Sequence, residues 1–233
     1  MLVAMRKILA TIHADDPEGL QPGDVVVVNE PYIAGAHLPD ITLLAPIYAG
    51  TERIGYVANR AHHADVGGME PGSMPGRSIE VFQEGVIIPP VRLYRSGELV
   101  RDVMTLVIAN VRTQDERRGD LNAQLSSLRT GERRINEIIT RHGKGTVVRG
   151  FGAIQDYAER RIRRRIADLP DGTYYSKDQL DDDGVSDEPV EIHLAVIIKD
   201  DTMVLDFAGT APIREGNING VAPMEYSSAV YAI

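Results

Sequence analysis

The chain contains no cysteine and no tryptophan, and only 5% of its 233 residues are aromatic. Without cysteine there is no disulfide, no thiolate nucleophile and no Cys-ligated zinc. With so few aromatic rings, the core must be built from Val, Ile, Leu and Ala. Runs of valine and isoleucine bounded by Gly and Pro favour strands. Basic residues are outnumbered, 25 against 34 acidic, for a net charge of -9. That charge argues against a nucleic-acid partner, whose electrostatic footprint is a basic surface. One basic run, Arg160-Arg161-Ile162-Arg163-Arg164-Arg165, reads at helical spacing as a solvated or subunit-facing flank. No apolar segment reaches the ~20 residues that span a bilayer, so no membrane partner is expected. Met1 to Ile12, with Arg6 and Lys7 inside a short amphipathic run, does not read as a signal peptide. The expected location is cytoplasmic.

At 233 residues the chain has room for one large domain or two modest ones. The patterning predicts an α+β fold. A mixed β-sheet core with flanking helices is expected over residues 1–170, and a second strand-rich lobe over 171–233. Leu2, Met5, Ile8, Leu9 and Ile12 recur at helical steps and predict a helix over 1–13. Strands are expected at Val25–Val28, Ile41–Tyr48 and Ile54–Asn59, with one or two more within 79–94 around Pro89-Pro90. The period becomes helical from Leu99 to Ala109 and from Gly119 to His142. The second of these has a stripe of Leu121, Leu125, Leu128, Ile135, Ile138 and Ile139, with Gly131 as a joint. A charged helix is expected over Phe151–Asp168. In the second lobe, Val190, Ile192, Leu194 and Val196 alternate as a half-exposed strand does, and Met203–Phe207 returns after a turn at Asp200-Asp201. Ser227 to Ile233 reads as the interior of a helix without a stop signal, as a truncated or split polypeptide would.

The chemistry is concentrated between Gly35 and Gly76. This stretch holds three of the six histidines: His37, three residues before Asp40, then His62 and His63 just before Asp65. Two apolar strands separate the clusters and can fold back to bring their ends together. Pro39 disfavours helical geometry at Leu38, so a loop is expected to turn His37 and Asp40 inward. Two histidines and a carboxylate suit Mn(II), Fe(II) or Zn(II) and leave positions for water and substrate. His62 and His63 point to opposite sides of an extended chain. One of them is expected at a given metal, with the other free for acid–base or supporting work; periodicity does not say which.

Other motifs carry less. Asp178 to Gly184 fails as a calcium loop, since Gln179 and Val190 stand where acids are needed, and reads as an acidic turn. Gly143-Lys144-Gly145-Thr146 lacks the span of a phosphate-binding loop. Ser73 is not in a nucleophile elbow, though its Gly/Pro-rich loop neighbours the histidines. His13, His142 and His193 lack a partner at ligand spacing and read as structural or solvated.

The runs GDVVVVNEPYIAGAHLPDI, ANRAHHADVGGMEPGSMP, FQEGVIIPPVRL, GDLNAQL, DGTYYSKDQLDDDG and LDFAGTAP resemble the hydantoinase B/oxoprolinase family across nearly the whole chain. The resemblance implies a B-type subunit that works with a hydantoinase A-type subunit, which binds ATP and phosphorylates the substrate oxygen. The substrate class it implies is a cyclic amide such as a hydantoin, 5-oxoproline or another lactam; the related acetone and acetophenone carboxylases make a carboxylase subunit the alternative. Carried over from the metal-bearing members, the ligands are His37, Asp40 and His62. His63 and Asp65 are then candidates for proton transfer or support, and Arg60 and Ser73 for positioning substrate. Ala34, Ala36 and Thr113 depart from the common Gly, Thr and Pro of the family, outside the ligand positions. A third expectation is a truncated scaffold subunit whose histidines bind nothing.

Overall fold

A computed structural model describes residues 2–233, so Met1 of the expected first helix lies outside the described residues. Val25–Val28 (β1), Asp40–Ala49 (β2), Glu52–His62 (β3), Val91–Arg95 (β4) and Glu98–Leu99 (β5) form a five-stranded sheet in the order β3-β2-β1-β4-β5. The α+β class is as expected. Every pairing in this sheet is antiparallel, where a mixed sheet was expected. The turns joining β2 to β3 and β4 to β5 are too short for the crossover a parallel pair requires.

The four consecutive valines of β1 are all buried, because the sheet is covered on both faces. Val25 and Val27 point to one side with Ile41, Leu43 and Leu93. There they meet Met104, Val107 and Ile108 of helix Arg101–Ala109 (α3) and Leu121, Leu125 and Leu128 of helix Gln114–His142 (α4). Val26, Val28 and Leu44 point to the other side, against Ile8 and Ile12 of helix Leu2–Asp15 (α1) and Ala34 of the short helix Pro31–Ala34 (α2). The result is three layers: α3 and α4, the sheet, then α1 and α2.

Gly131 was expected to break the second long helix, yet α4 runs unbroken through it. A Cβ at Gly131 would sit 3.2 Å from Val57 Cγ1; the missing side chain lets the helix lie close on β3. Within 79–94 one strand forms, preceded by a 3-10 turn at Val81–Gln83. The chain before it bonds to a side chain instead of a ladder: Asn29 accepts from Ile88 N at 2.6 Å and donates to Val86 O at 2.9 Å.

Helix Lys144–Ala167 (α5) follows α4 after Gly143, whose φ of 81° only glycine adopts readily. A second antiparallel sheet comprises Gly172–Leu180 (β6), Val190–Lys199 (β7) and Thr202–Asp206 (β8), in the order β6-β7-β8. Helix Ala222–Ala232 (α6) closes the description. Among the described residues, no helix is long and apolar enough to cross a membrane.

Candidate metal site

The register of β2 and β3 sets Asp40 opposite His62 and Thr42 opposite Arg60. Strand alternation then puts all four side chains on the α2 side of the sheet. His37 arrives on the loop between α2 and β2. Gly35, in the left-handed conformation with φ 74°, ends α2, and Asp40 N donates to His37 O at 3.0 Å. His37 Nδ1 lies 3.3 Å from one Asp40 oxygen and His62 Nδ1 lies 3.4 Å from the other. The two imidazole rings are 4.9 Å apart, centre to centre. One donor atom from each of the three residues lies within 4.8 Å of the others, the one such trio among the described residues.

These dimensions fit a divalent ion. Metal–ligand bonds of about 2.0–2.1 Å in tetrahedral geometry place neighbouring donors about 3.3 Å apart, close to the two histidine–carboxylate separations. The donor set, two imidazoles and one carboxylate, is that of a metal with open coordination positions. Asp40 is the least exposed of the three side chains and His62 is about half exposed, so the trio is open to solvent on one side.

Two side chains brace the loop that carries His37. Asn29, fully buried in the turn after β1, donates to Leu38 O at 2.9 Å as well as to Val86 O. Arg60 donates through Nε to Thr42 Oγ1 at 3.0 Å and through Nη2 to Ala34 O, the last residue of α2. Burial lowers the Arg60 pKa, and the Asp40 carboxylate partly offsets this. Arg60, expected to position substrate, braces β2, β3 and the end of α2.

His63, expected to transfer protons or to support the site, is not brought to the trio. It lies on the opposite face of the sheet, 1% exposed, with Nε2 2.8 Å from Gln124 Oε1 of α4. Burial pushes its pKa down, only partly countered by the bond to Gln124. Asp65 also turns away. Its carboxylate accepts from the amides of Gly67, Gly72 and Arg112 and pairs with Arg112 Nη1 at 2.8 Å. Burial raises its pKa, but the Arg112 amide and guanidinium and the two glycine amides prevail and hold it at about 2. A carboxylate with its oxygens so occupied staples the loop. Ser73, expected to contact substrate, is 1% exposed; its Oγ accepts from Val66 N at 2.8 Å and donates to Gly67 O at 2.7 Å. Both residues shape the turn that follows the histidines.

Elsewhere, the Asp182 and Asp183 side chains accept from the amides of Gly184, Val185 and Ser186, forming an acidic turn as expected. His193 does have an acidic neighbour: its Nε2 is 3.1 Å from Glu191 Oε2, two residues back on the same face of β7. Sequence reading passed over Gln124, Asn29 and Arg112. Of these, Gln124 alone had a visible signal, as a polar residue in phase with the apolar stripe Leu121, Leu125 and Leu128; Arg117 shares that phase and is also buried.

Comparison with known proteins shows the family and the fold. An uncharacterized protein of Methanocaldococcus jannaschii is 38% identical over 214 residues, covering 92% of this chain and 37% of that protein. The caprolactamase subunit beta of Pseudomonas jessenii is 32% identical over 183 residues, covering 78% of this chain and 31% of that subunit. The crystal structure of the ATP-dependent caprolactamase from Pseudomonas jessenii matches with a TM-score of 0.87 and 27% identity, over 98% of this chain and 39% of that one. The chain therefore spans about a third of the length of these relatives. The sequence profile of the hydantoinase B/oxoprolinase family matches residues 1–233 from end to end, and the chain belongs to that family.

Proposed function

We propose that the chain acts in the B-type subunit of an ATP-dependent cyclic amide hydrolase, at a divalent-metal site formed by His37, Asp40 and His62. A Mn, Zn or Fe ion held there would supply a Lewis acid and would lower the pKa of bound water towards ~7. The chain's own side chains do the rest. Asp40 provides the anionic donor between the two imidazoles, and Arg60 and Asn29 fix the loop that brings His37 to it. The exposed side of His62 leaves an approach for a hydantoin or lactam that has been activated elsewhere. ATP would act on an A-type partner subunit, making the working assembly a hetero-oligomer. The kinship to a caprolactamase subunit beta supports both the substrate class and the division of labour.

The convergence of three donor atoms from two strand ends and one loop carries this reading. It is tested by metal analysis after extensive dialysis, followed by turnover of a cyclic amide by the chain paired with its A-type partner. One transition-metal ion per chain is expected, falling to none in His37→Ala and Asp40→Ala with the fold retained. Turnover should fall at least ~100-fold in both variants, beyond the 10–100-fold typical of losing a supporting contact. An absence of metal in the unmodified chain would favour a scaffold, and turnover that requires bicarbonate would favour a carboxylase.

A further inference from the structure

We infer that Gln124 of α4 is a positioning residue for the metal trio, acting through the sheet from its far side. This rests on the metal-site reading above. The side chain is 6% exposed and all of its polar atoms are engaged. Its Nε2 donates to Ile41 O at 3.0 Å and to Asn59 Oδ1 at 3.1 Å, while Oε1 meets His63 Nε2 at 2.8 Å. Asn59 returns the contact, donating from Nδ2 to Gln124 O at 2.7 Å.

These bonds leave no freedom in the assignment of atoms. A backbone carbonyl only accepts, so the contact with Ile41 O fixes the NH2 end of the Gln124 amide. The Asn59 amide is fixed in the same way by the Gln124 carbonyl. Gln124 therefore presents an acceptor to His63, and His63 must hold its proton on Nε2.

The positions of the three anchored residues give the clamp its meaning. Ile41 follows Asp40 directly, and His63 follows His62 directly. Asn59 lies three residues before His62, on the same face of β3 as His63. His63 N also donates to Pro39 O at 2.8 Å, closing the end of the hairpin. One buried amide from a helix thus ties together the ends of both strands that present ligands on the opposite face. Groups bonded directly to ligands typically affect metal affinity by 10–100-fold; Gln124 acts one residue removed, through the backbone that carries Asp40 and His62.

The test uses the metal-free chain with 15N-labelled histidine, and zinc(II) as the probe. Long-range proton–nitrogen spectra at pH 8 are expected to show His63 as the Nε2–H tautomer, its signals assigned by their loss in His63→Gln. Gln124→Leu should erase that preference and weaken zinc binding at least tenfold, with circular dichroism showing the fold retained. Gln124→Glu keeps the acceptor and removes both NH donors, so it should keep the tautomer and still weaken zinc binding. A His63 proton on Nδ1 in the unmodified chain would overturn the inference. So would zinc affinity within twofold of the unmodified chain in folded Gln124→Leu or, should that variant not fold, in Gln124→Glu. If the unmodified chain binds no zinc at all, the metal-site reading fails, while the tautomer measurement still decides whether Gln124 holds His63.

Discussion

The two sheets of this chain are built from similar strands and end in different circumstances. The five-stranded sheet has helices on both faces; Val26, Val27, Leu43 and Leu44 are fully buried, and a loop and two strand ends along one edge gather the candidate site. The three-stranded sheet has β6 exposed along its whole length. One side of β7 and β8, with Ile192, Leu194, Val196, Met203 and Leu205, lines an open apolar groove of about 930 Å³ together with α6. Strand pairing is equally regular in both, so pairing alone does not make a site. Side chains hold ångström-scale positions when packing and hydrogen bonds fix them from behind. The first sheet has that backing directly behind the candidate site: α4 supplies Gln124, and the turn after β1 supplies Asn29.

The sharpest way to break this comparison is to remove the same side chain from each sheet. Leu43 is fully buried between β2 and α4, and Leu43→Ala should cost about 3–4 kcal/mol through lost burial and a residual cavity. Leu194, half-buried in the groove, should cost about 1 kcal/mol in Leu194→Ala, because the groove already admits solvent. Urea unfolding monitored by circular dichroism checks both. Equal losses would mean that the groove is as tightly packed as the first core.

Next in size is the staple behind the histidines. Asp65→Ala removes the acceptor for three amides and leaves the Arg112 guanidinium without its carboxylate; a loss of about 2–3 kcal/mol is expected. The same group sets a pH dependence. Its folded pKa of about 2 lies below the usual aspartate value of 3.8, so its stabilisation is complete above pH ~4 and fades as pH falls through 2. Unfolding free energies between pH 5 and pH 2 should drop less steeply in Asp65→Asn than in the unmodified chain. Parallel curves would show that another carboxylate dominates acid sensitivity.

How much of this was legible in the sequence follows the same division. Apolar periodicity marks burial, so β1, β2, β3, β7 and α4 were readable, as was the α+β class. β6 was not: GTYYSKDQL is exposed throughout and carries no burial pattern, because its backbone bonds to β7 define it. The trio His37, Asp40 and His62 stood out because ligand-type residues cluster around two strands that can form a hairpin. The placement of His63 and Asp65 depended on tertiary partners, Gln124 and Arg112, 61 and 47 residues away in the chain, and that of Ser73 on its bonds to Val66 and Gly67 within the turn. Spacing along the sequence gave no view of those partners, and proximity to the histidines made all three look like chemistry when two of them build the turn.

The smallest expected effect tests how closely α4 covers its sheet. Alanine in place of an exposed helical glycine stabilises by about 1 kcal/mol, because glycine loses more backbone entropy on folding. Gly150, in α5, would place a Cβ in open space, so Gly150→Ala should deliver about that gain. Gly131, in α4, would place its Cβ 3.2 Å from Val57 Cγ1. Val57 is packed against the first core and its branched side chain has a stiff χ1, so it yields only by shifting β3. Gly131→Ala should therefore change stability by no more than about 0.5 kcal/mol. The shift would travel along β3 towards His62, and a measurable loss of zinc affinity in Gly131→Ala, absent in Gly150→Ala, would show that the approach of α4 to β3 is tuned for the site as well as for packing. Equal stabilisation by the two substitutions would show instead that Val57 moves freely, and that α4 rests on its sheet as loosely as α5 rests on the second.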